Sequence, residues 1–131
     1  MTDILRVTIL GSPVPAQMGV MASDCKGRPK VLKSKRSTAY QQQISSLTMF
    51  AINRGDWRWR TDIASMFVVR LHAFVADLRV IDVDNIGKNA LDGLKCVAFA
   101  DDRQVKRLEV EKDCDRLTPR LEIEVERIVT P

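Results

Sequence analysis

The sharpest constraint on this chain is a change of period at residues 80–97. From Asn85 onward the apolar residues Ile86, Ala90, Leu91, Leu94 and Val97 recur at three- and four-residue steps. That spacing predicts a helix with one apolar face. Just before it, residues 80–84 read as extended, which sends Asp82 and Asp84 to one side and Val83 to the other, into protein. Asp84 then stands where the helix starts, and a carboxylate there can accept hydrogen bonds from free backbone amides. Lys88 follows Asp84 by four residues and Asp92 follows Lys88 by four, so the three line up along one helical face. A second acidic pair, Asp101-Asp102, comes after the helix. Several carboxylates with one lysine among them suit a hard cation such as Mg²⁺, which prefers oxygen ligands and keeps several waters. Taken alone, Asp-x-Asp-Asn is also a common turn or cap, because these side chains bond their own backbone.

The run DVDNIGKNALDGLKCVAFADDRQV, residues 82–105, resembles the RusA-type Holliday junction resolvases. Those endonucleases carry Asp-x-Asp-Asn, a Lys three residues after the Asn, an Asp four after that, then Asp-Asp and a Gln. Here these are Asp82, Asp84, Asn85, Lys88, Asp92, Asp101, Asp102 and Gln104. The likeness is looser at residues 7–15, VTILGSPVP, where the family has an opening strand and a proline turn. The resemblance implies that Asp82, Asp84 and Asp102 are metal-binding catalytic carboxylates and that Lys88 is an essential cation. It implies supporting roles for Asn85, Asp92 and Asp101. It implies Mg²⁺ as the cofactor, with Mn²⁺ as a substitute. The substrate would be branched DNA, a four-way junction, cut in recombination and repair. A homodimer is expected as well, since such a junction has twofold symmetry and a C2 dimer places two equal sites on opposed strands. Gln17 departs from the pattern, standing where relatives often carry a basic residue.

Charge is divided unevenly. Residues 1–62 hold ten Lys/Arg against four Asp/Glu, and residues 63–131 hold eleven against thirteen, within an overall +4. A basic half therefore precedes the acidic half that carries the motif, and basic surfaces attract phosphates by releasing counterions. Lys26, Arg28, Lys30, Lys33, Lys35 and Arg36 cluster with no acid among residues 25–36. This segment reads either as a solvated basic loop or irregular hairpin, or as an arm that orders on DNA phosphates.

The whole of residues 1–131 reads as one domain, long enough for its own core. No apolar run approaches the ~20 residues of a membrane span, and the N-terminus lacks a signal-peptide pattern. No membrane contact and a cytoplasmic, nucleoid-associated location are expected. The three cysteines, Cys25, Cys96 and Cys114, lack zinc spacing and read as free thiols.

Alternation at residues 4–10 predicts a strand burying Leu5, Val7 and Ile9, ended by Pro13 and Pro15. Ser37 or Thr38 would cap a helix with Tyr40, Ile44, Leu47 and Ala51 on one face and Gly55 at its end. Trp57 and Trp59 either anchor a loop to the core or stack on unpaired bases. Residues 64–76 form a central strand, apolar on both faces or used at a subunit contact, with His72 packed within it. Residues 105–110 form another strand, residues 112–119 a turn, and residues 121–126 a last strand with a solvated glutamate face. The expected fold class is α+β: one RusA-like domain with a mixed or antiparallel sheet of about four strands packed with two main helices.

One geometric problem is visible already. A helix of ~12 residues spans ~18 Å, with Asp84 near its start and Asp102 beyond its end. Either residues 97–102 double back along the helix, or a second subunit supplies Asp102. Two rival functions share these residues: a metal-dependent nuclease with another DNA specificity, and a non-catalytic branched-DNA-binding protein.

Overall fold

In chain order the elements are β1 (Ile4–Leu10), β2 (Met18–Ser23), β3 (Pro29–Lys33), α1 (Lys35–Arg54), β4 (Met66–Val75), α2 (Val83–Leu94), a 3-10 turn (Asp102–Gln104), β5 (Val105–Cys114) and β6 (Arg120–Ile128). The computed structural model describes residues 3–16, 18–23, 26–27, 29–33, 35–79 and 81–128, with backbone alone for β2 and β3. Gln17, Cys25 and Arg28 lie outside the described residues. The expected α+β class holds. A four-stranded mixed sheet runs in the order β1-β6-β4-β5, and β2 and β3 make a separate two-stranded sheet.

Alternating sequence becomes strands with one dry face. Leu5, Val7 and Ile9 of β1 and Leu121, Ile123 and Val125 of β6 are buried. The two strands pair antiparallel, with Leu5 opposite Val125 and Val7 opposite Ile123. In β4 the inward set is Phe67, Val69, Leu71, Ala73 and Val75. β4 is antiparallel to β6 and parallel to β5. A parallel pair needs a crossover, and α2 supplies it. Both helices cover the dry face: Tyr40 and Ile44 of α1 and Ile86, Ala90 and Leu94 of α2 join one core with the strand residues. The opposite face is an open groove of about 660 Å³ lined by Arg6, Arg70, His72, Glu109, Glu111 and other side chains. Among the described residues, the outer face of β4 meets this groove and no second layer.

Several boundaries differ from expectation. α1 starts at Lys35, ahead of Ser37, because Ser37 is buried and donates its hydroxyl to Asn89 instead of capping. α2 starts at Val83, since Ile86 N already reaches Asp82 O at 3.2 Å. Asp82 and Asp84 thus flank a helix start rather than sharing a strand face, and Val83 is 40% exposed instead of turned inward. β5 continues to Cys114 because its pairing with β4 runs as far as Val75. The turn shrinks to residues 115–119, where Asp115 Oδ1 accepts from Leu117 N and Thr118 N. Residues 18–33, open between loop and hairpin in sequence, form the antiparallel β2-β3 hairpin, with a register shift between Met18 and Val20. Trp57 is an anchor: it is buried and donates Nε1–H to Ala98 O at 2.8 Å. Trp59 lies under the Arg127 guanidinium, 3.8 Å from its centroid. None of the described helices is long and apolar enough to cross a membrane.

Two glycines let α2 approach its neighbours. A Cβ on Gly93 would lie 2.9 Å from Ile44 Cβ and 3.1 Å from Gln41 O. A Cβ on Gly87 would meet only Leu108 and Val110 side-chain tips at 3.3 Å. In an open helix, Gly→Ala stabilises by roughly 1 kcal/mol. Here Gly93→Ala must push α1 away, so a net destabilisation of about 1–3 kcal/mol is expected. Gly87→Ala should be milder, because side-chain tips give way more easily than backbone. Urea unfolding of both variants checks the order.

Candidate active site

α2 displays the motif on its outer stripe. Asp82, Asp84 and Lys88 are exposed, and Asp92 is half-buried. Asp82 has extended backbone and makes no side-chain capping bond. Asp84 Oδ1 accepts only locally, from Asn85 N at 3.0 Å. The Asp84, Lys88 and Asp92 alignment expected from four-residue spacing is therefore present on a solvent-facing strip. The loop that leads into it is clamped from β5, where the Lys112 ammonium donates to Leu78 O and to Ile81 O.

The basic hairpin is rooted on this helix. Ala16 N donates to Asn85 O at 3.0 Å, and Asn89 Nδ2 donates to Val14 O at 2.7 Å. Asn89 is fully buried, and its Oδ1 accepts from Ser37 Oγ at 3.0 Å and from Gln41 Nε2 at 2.7 Å. Gln41 Nε2 also lies 3.3 Å from Asp92 Oδ2. One amide thus joins the hairpin root, the first turns of α1 and the acidic stripe. Lys26, Lys35 and Arg36 are exposed; Lys30 and Lys33 belong to β3. Neither Asn89 nor Gln41 stood out in the sequence. The available signal was an amide at a position where the period of Ile86, Ala90 and Gly93 demands an apolar or small residue.

Beyond α2 the chain doubles back over a short stretch. Cys96 adopts φ 67, its N donates to Phe99 O at 2.7 Å, and Lys95 forms a bridge with Phe99. Asp101 and Gln104 then build a reciprocal cap around the 3-10 turn. Gln104 is buried; its Oε1 accepts from Ala100 N and Asp101 N, and its Nε2 donates to Asp62 O and Ser65 O. Gln104 thereby holds the acidic pair in place. Arg103 N donates to Asp101, and that bond keeps its carboxyl below the usual range. Asp102 behaves oppositely. Burial raises its pKa, Lys95 opposes the rise, and the charges of Asp92 and Asp101 add to it. Its Oδ1 is buried without a hydrogen-bond partner.

The tight turn closed by Cys96 N to Phe99 O and by the Lys95–Phe99 bridge keeps Asp102 near the C-terminal end of α2. The reversal at residues 95–100 does not carry it to the helix start. Topology explains this: α2 begins after the end of β4 and returns to the start of the parallel β5, so its two ends lie at opposite ends of the strands. Asp84 is the second of the twelve residues of α2, and the ten that follow it carry the axis about 15 Å toward the end near Asp102. Among the described residues, the triple of ligand-type side chains that does converge is His72, Glu111 and Asp113, on the open sheet face.

The family model described as Endodeoxyribonuclease RusA matches residues 11–126 of the chain. A comparison with the curated proteins finds no match.

Asn89→Leu should destabilise the fold by about 1–3 kcal/mol for each buried polar group it leaves unpaired, measured by denaturant unfolding. Asp102 has a raised folded-state pKa, so its cost to stability appears as pH rises above the unfolded carboxylate value of about 3.9. That cost is complete above the folded-state pKa. In chelator, Asp102→Asn should therefore raise Tm at neutral pH, and the gain should vanish below about pH 4.

Proposed function

The chain belongs to the RusA family of endodeoxyribonucleases, and on that basis we propose that it is a Mg²⁺-dependent nuclease that resolves four-way DNA junctions by paired phosphodiester hydrolysis. Its setting is recombination and repair on the nucleoid. The observation that carries the reading is the joining of a basic hairpin, through Asn85 and Asn89, to a helix that exposes Asp82, Asp84 and Lys88. An element suited to grip phosphates is thus rooted at the group suited to hydrolyse one.

The residues fit a hard cation. The donors are carboxylate oxygens, as Mg²⁺ prefers, and Asp82 and Asp84 spend little of their bonding capacity within the protein. Asp102 keeps a buried oxygen without a partner. Asp82, Asp84 and Asp102 would hold the ion, with Mn²⁺ as a substitute. Bound there, Mg²⁺ supplies charge neutralisation at the phosphate and a lowered pKa for water. Lys88, one helical turn from Asp84, stabilises the negative charge that grows on the phosphate oxygens. Asn85 and Asp92 hold the hairpin root and α1 against the stripe, and Asp101 caps the turn that presents Asp102. Lys26, Arg28, Lys30, Lys33, Lys35 and Arg36 bind flanking phosphates, which makes affinity salt-dependent.

The separation along α2 favours a site shared between subunits. In a twofold dimer with the two α2 helices antiparallel, Asp82 and Asp84 of one protomer meet Asp102 of the other. Two opposed strands of the junction then each face one complete set.

On a synthetic four-way junction with Mg²⁺, Asp82→Asn and Asp84→Asn should each lower cleavage by about a hundredfold or more, the scale of a lost electrostatic or metal contribution. Both should still bind DNA. Cleavage near the wild-type rate rejects the assignment. Equal cutting of linear duplex would indicate a nuclease of other specificity, and intact junction with every metal would indicate a binding protein alone. Mixed dimers of Asp84→Asn and Asp102→Asn test sharing. A shared site leaves one intact set and restores nicking of one strand, whereas a site built within one chain leaves none.

A further inference from the structure

We propose that His72, Glu111 and Asp113 form a second cation site, selective for a borderline divalent ion such as Zn²⁺, on the open face of the sheet. One nitrogen and two carboxylate oxygens from these side chains lie within 4.8 Å of one another. The arrangement follows from strand register. His72 pairs with Glu111 across the parallel β4-β5 ladder, and Asp113, two residues further on, projects from the same face. The imidazole is oriented from two sides. Its Nε2 meets Asp113 Oδ2 at 2.5 Å, and its ring stacks on Phe74 at 4.1 Å between centroids. Phe74 is itself covered by the Arg120 guanidinium at 3.8 Å.

The other carboxylates of this face are matched by arginines. Glu109 pairs with Arg70 and Arg107, Glu122 with Arg120, Glu124 with Arg6 and Arg70, and Glu126 with Arg70. Among the described residues Glu111 has no such basic partner, although it sits beside the His72-Asp113 pair. An ion held here would take the place of the direct His72–Asp113 contact and offset the charge of Glu111. An imidazole ligand favours Zn²⁺, Co²⁺ or Ni²⁺ over Mg²⁺. Three protein ligands leave an open position, here toward the groove. The site lies on the opposite side of the sheet from the helix layer that carries Asp82 and Asp84, so it is independent of the carboxylates proposed for Mg²⁺. Bound metal would brace β5, an edge strand, against β4.

The test uses the full chain, stripped of metal, in excess Mg²⁺ to occupy carboxylate-only sites. Zn²⁺ is titrated against a chromophoric chelator, and Co²⁺ is followed by its visible absorption. One Zn²⁺ per chain, a higher Tm and Co²⁺ bands of a low-coordinate nitrogen-oxygen site are expected. His72→Ala and Glu111→Gln should each weaken Zn²⁺ binding about tenfold or more, the scale of losses seen even for residues behind the ligands. Asp82→Asn and Asp84→Asn should leave it unchanged. Glu111 is exposed, so Glu111→Gln reports on the site even if His72→Ala folds poorly. Undiminished Zn²⁺ binding by Glu111→Gln, loss of binding in Asp84→Asn, or no Zn²⁺ bound to wild type would each overturn the proposal.

Discussion

The arrangement of this protein depends on one buried amide. Asn89 sits on the apolar side of α2, among Ile86, Ala90 and Gly93. It uses that place to receive Ser37 and Gln41 from α1 and to hold the carbonyl of Val14. A buried amide with unmet bonds is costly, so its three partners must arrive together. Three segments distant in sequence are thereby set in one relation: the stem of the hairpin, the start of α1 and the acidic helix. Dispersion contacts alone would allow them to slide. The close crossing at Gly93 and Ile44 reinforces the same alignment, because it fixes how near the two helices lie.

The acidic groups are held in contrasting ways. Asp101 is satisfied by backbone and lowered in pKa, and it organises its turn. Asp102, next to it, is desolvated and crowded by like charge, with one oxygen left without a donor. Such an arrangement weakens the fold and is retained where a ligand relieves it. Gln104 makes it sustainable. Its four hydrogen bonds lock the loop, so the carboxylate cannot simply rotate its backbone toward water.

What could be read from the sequence was what repeats locally. The faces of β1 and β6, the apolar side of α2 and the Asp84, Lys88 and Asp92 row all follow from spacing within one element. Features joining distant residues did not show. Nothing near Val105 announces a parallel partner in β4, or that the pairing runs on through Cys114. His72 was readable as a strand residue, but Asp113 lies 41 positions away and reaches it only through that ladder. The period of Ile86, Ala90 and Gly93 puts Asn89 on the covered side of α2, but nothing in the sequence says that Ser37, Gln41 and Val14 would be its partners. The early start of α2 was missed for a related reason. Alternation of Asp82, Val83 and Asp84 fits a strand, yet a single backbone bond from Ile86 suffices to begin the helix there.

The open sheet face and the hairpin root lie on opposite layers, one lined with glutamates and the other leading to a run of lysines and arginines. The glutamates of the sheet face are largely matched by Arg6, Arg70, Arg107 and Arg120, so that face offers a polyanion little net charge. Long-range attraction therefore concentrates on the segment at residues 25–36, which carries six basic residues and no acid. Productive collisions then make up a larger share of all collisions than chance orientation would allow.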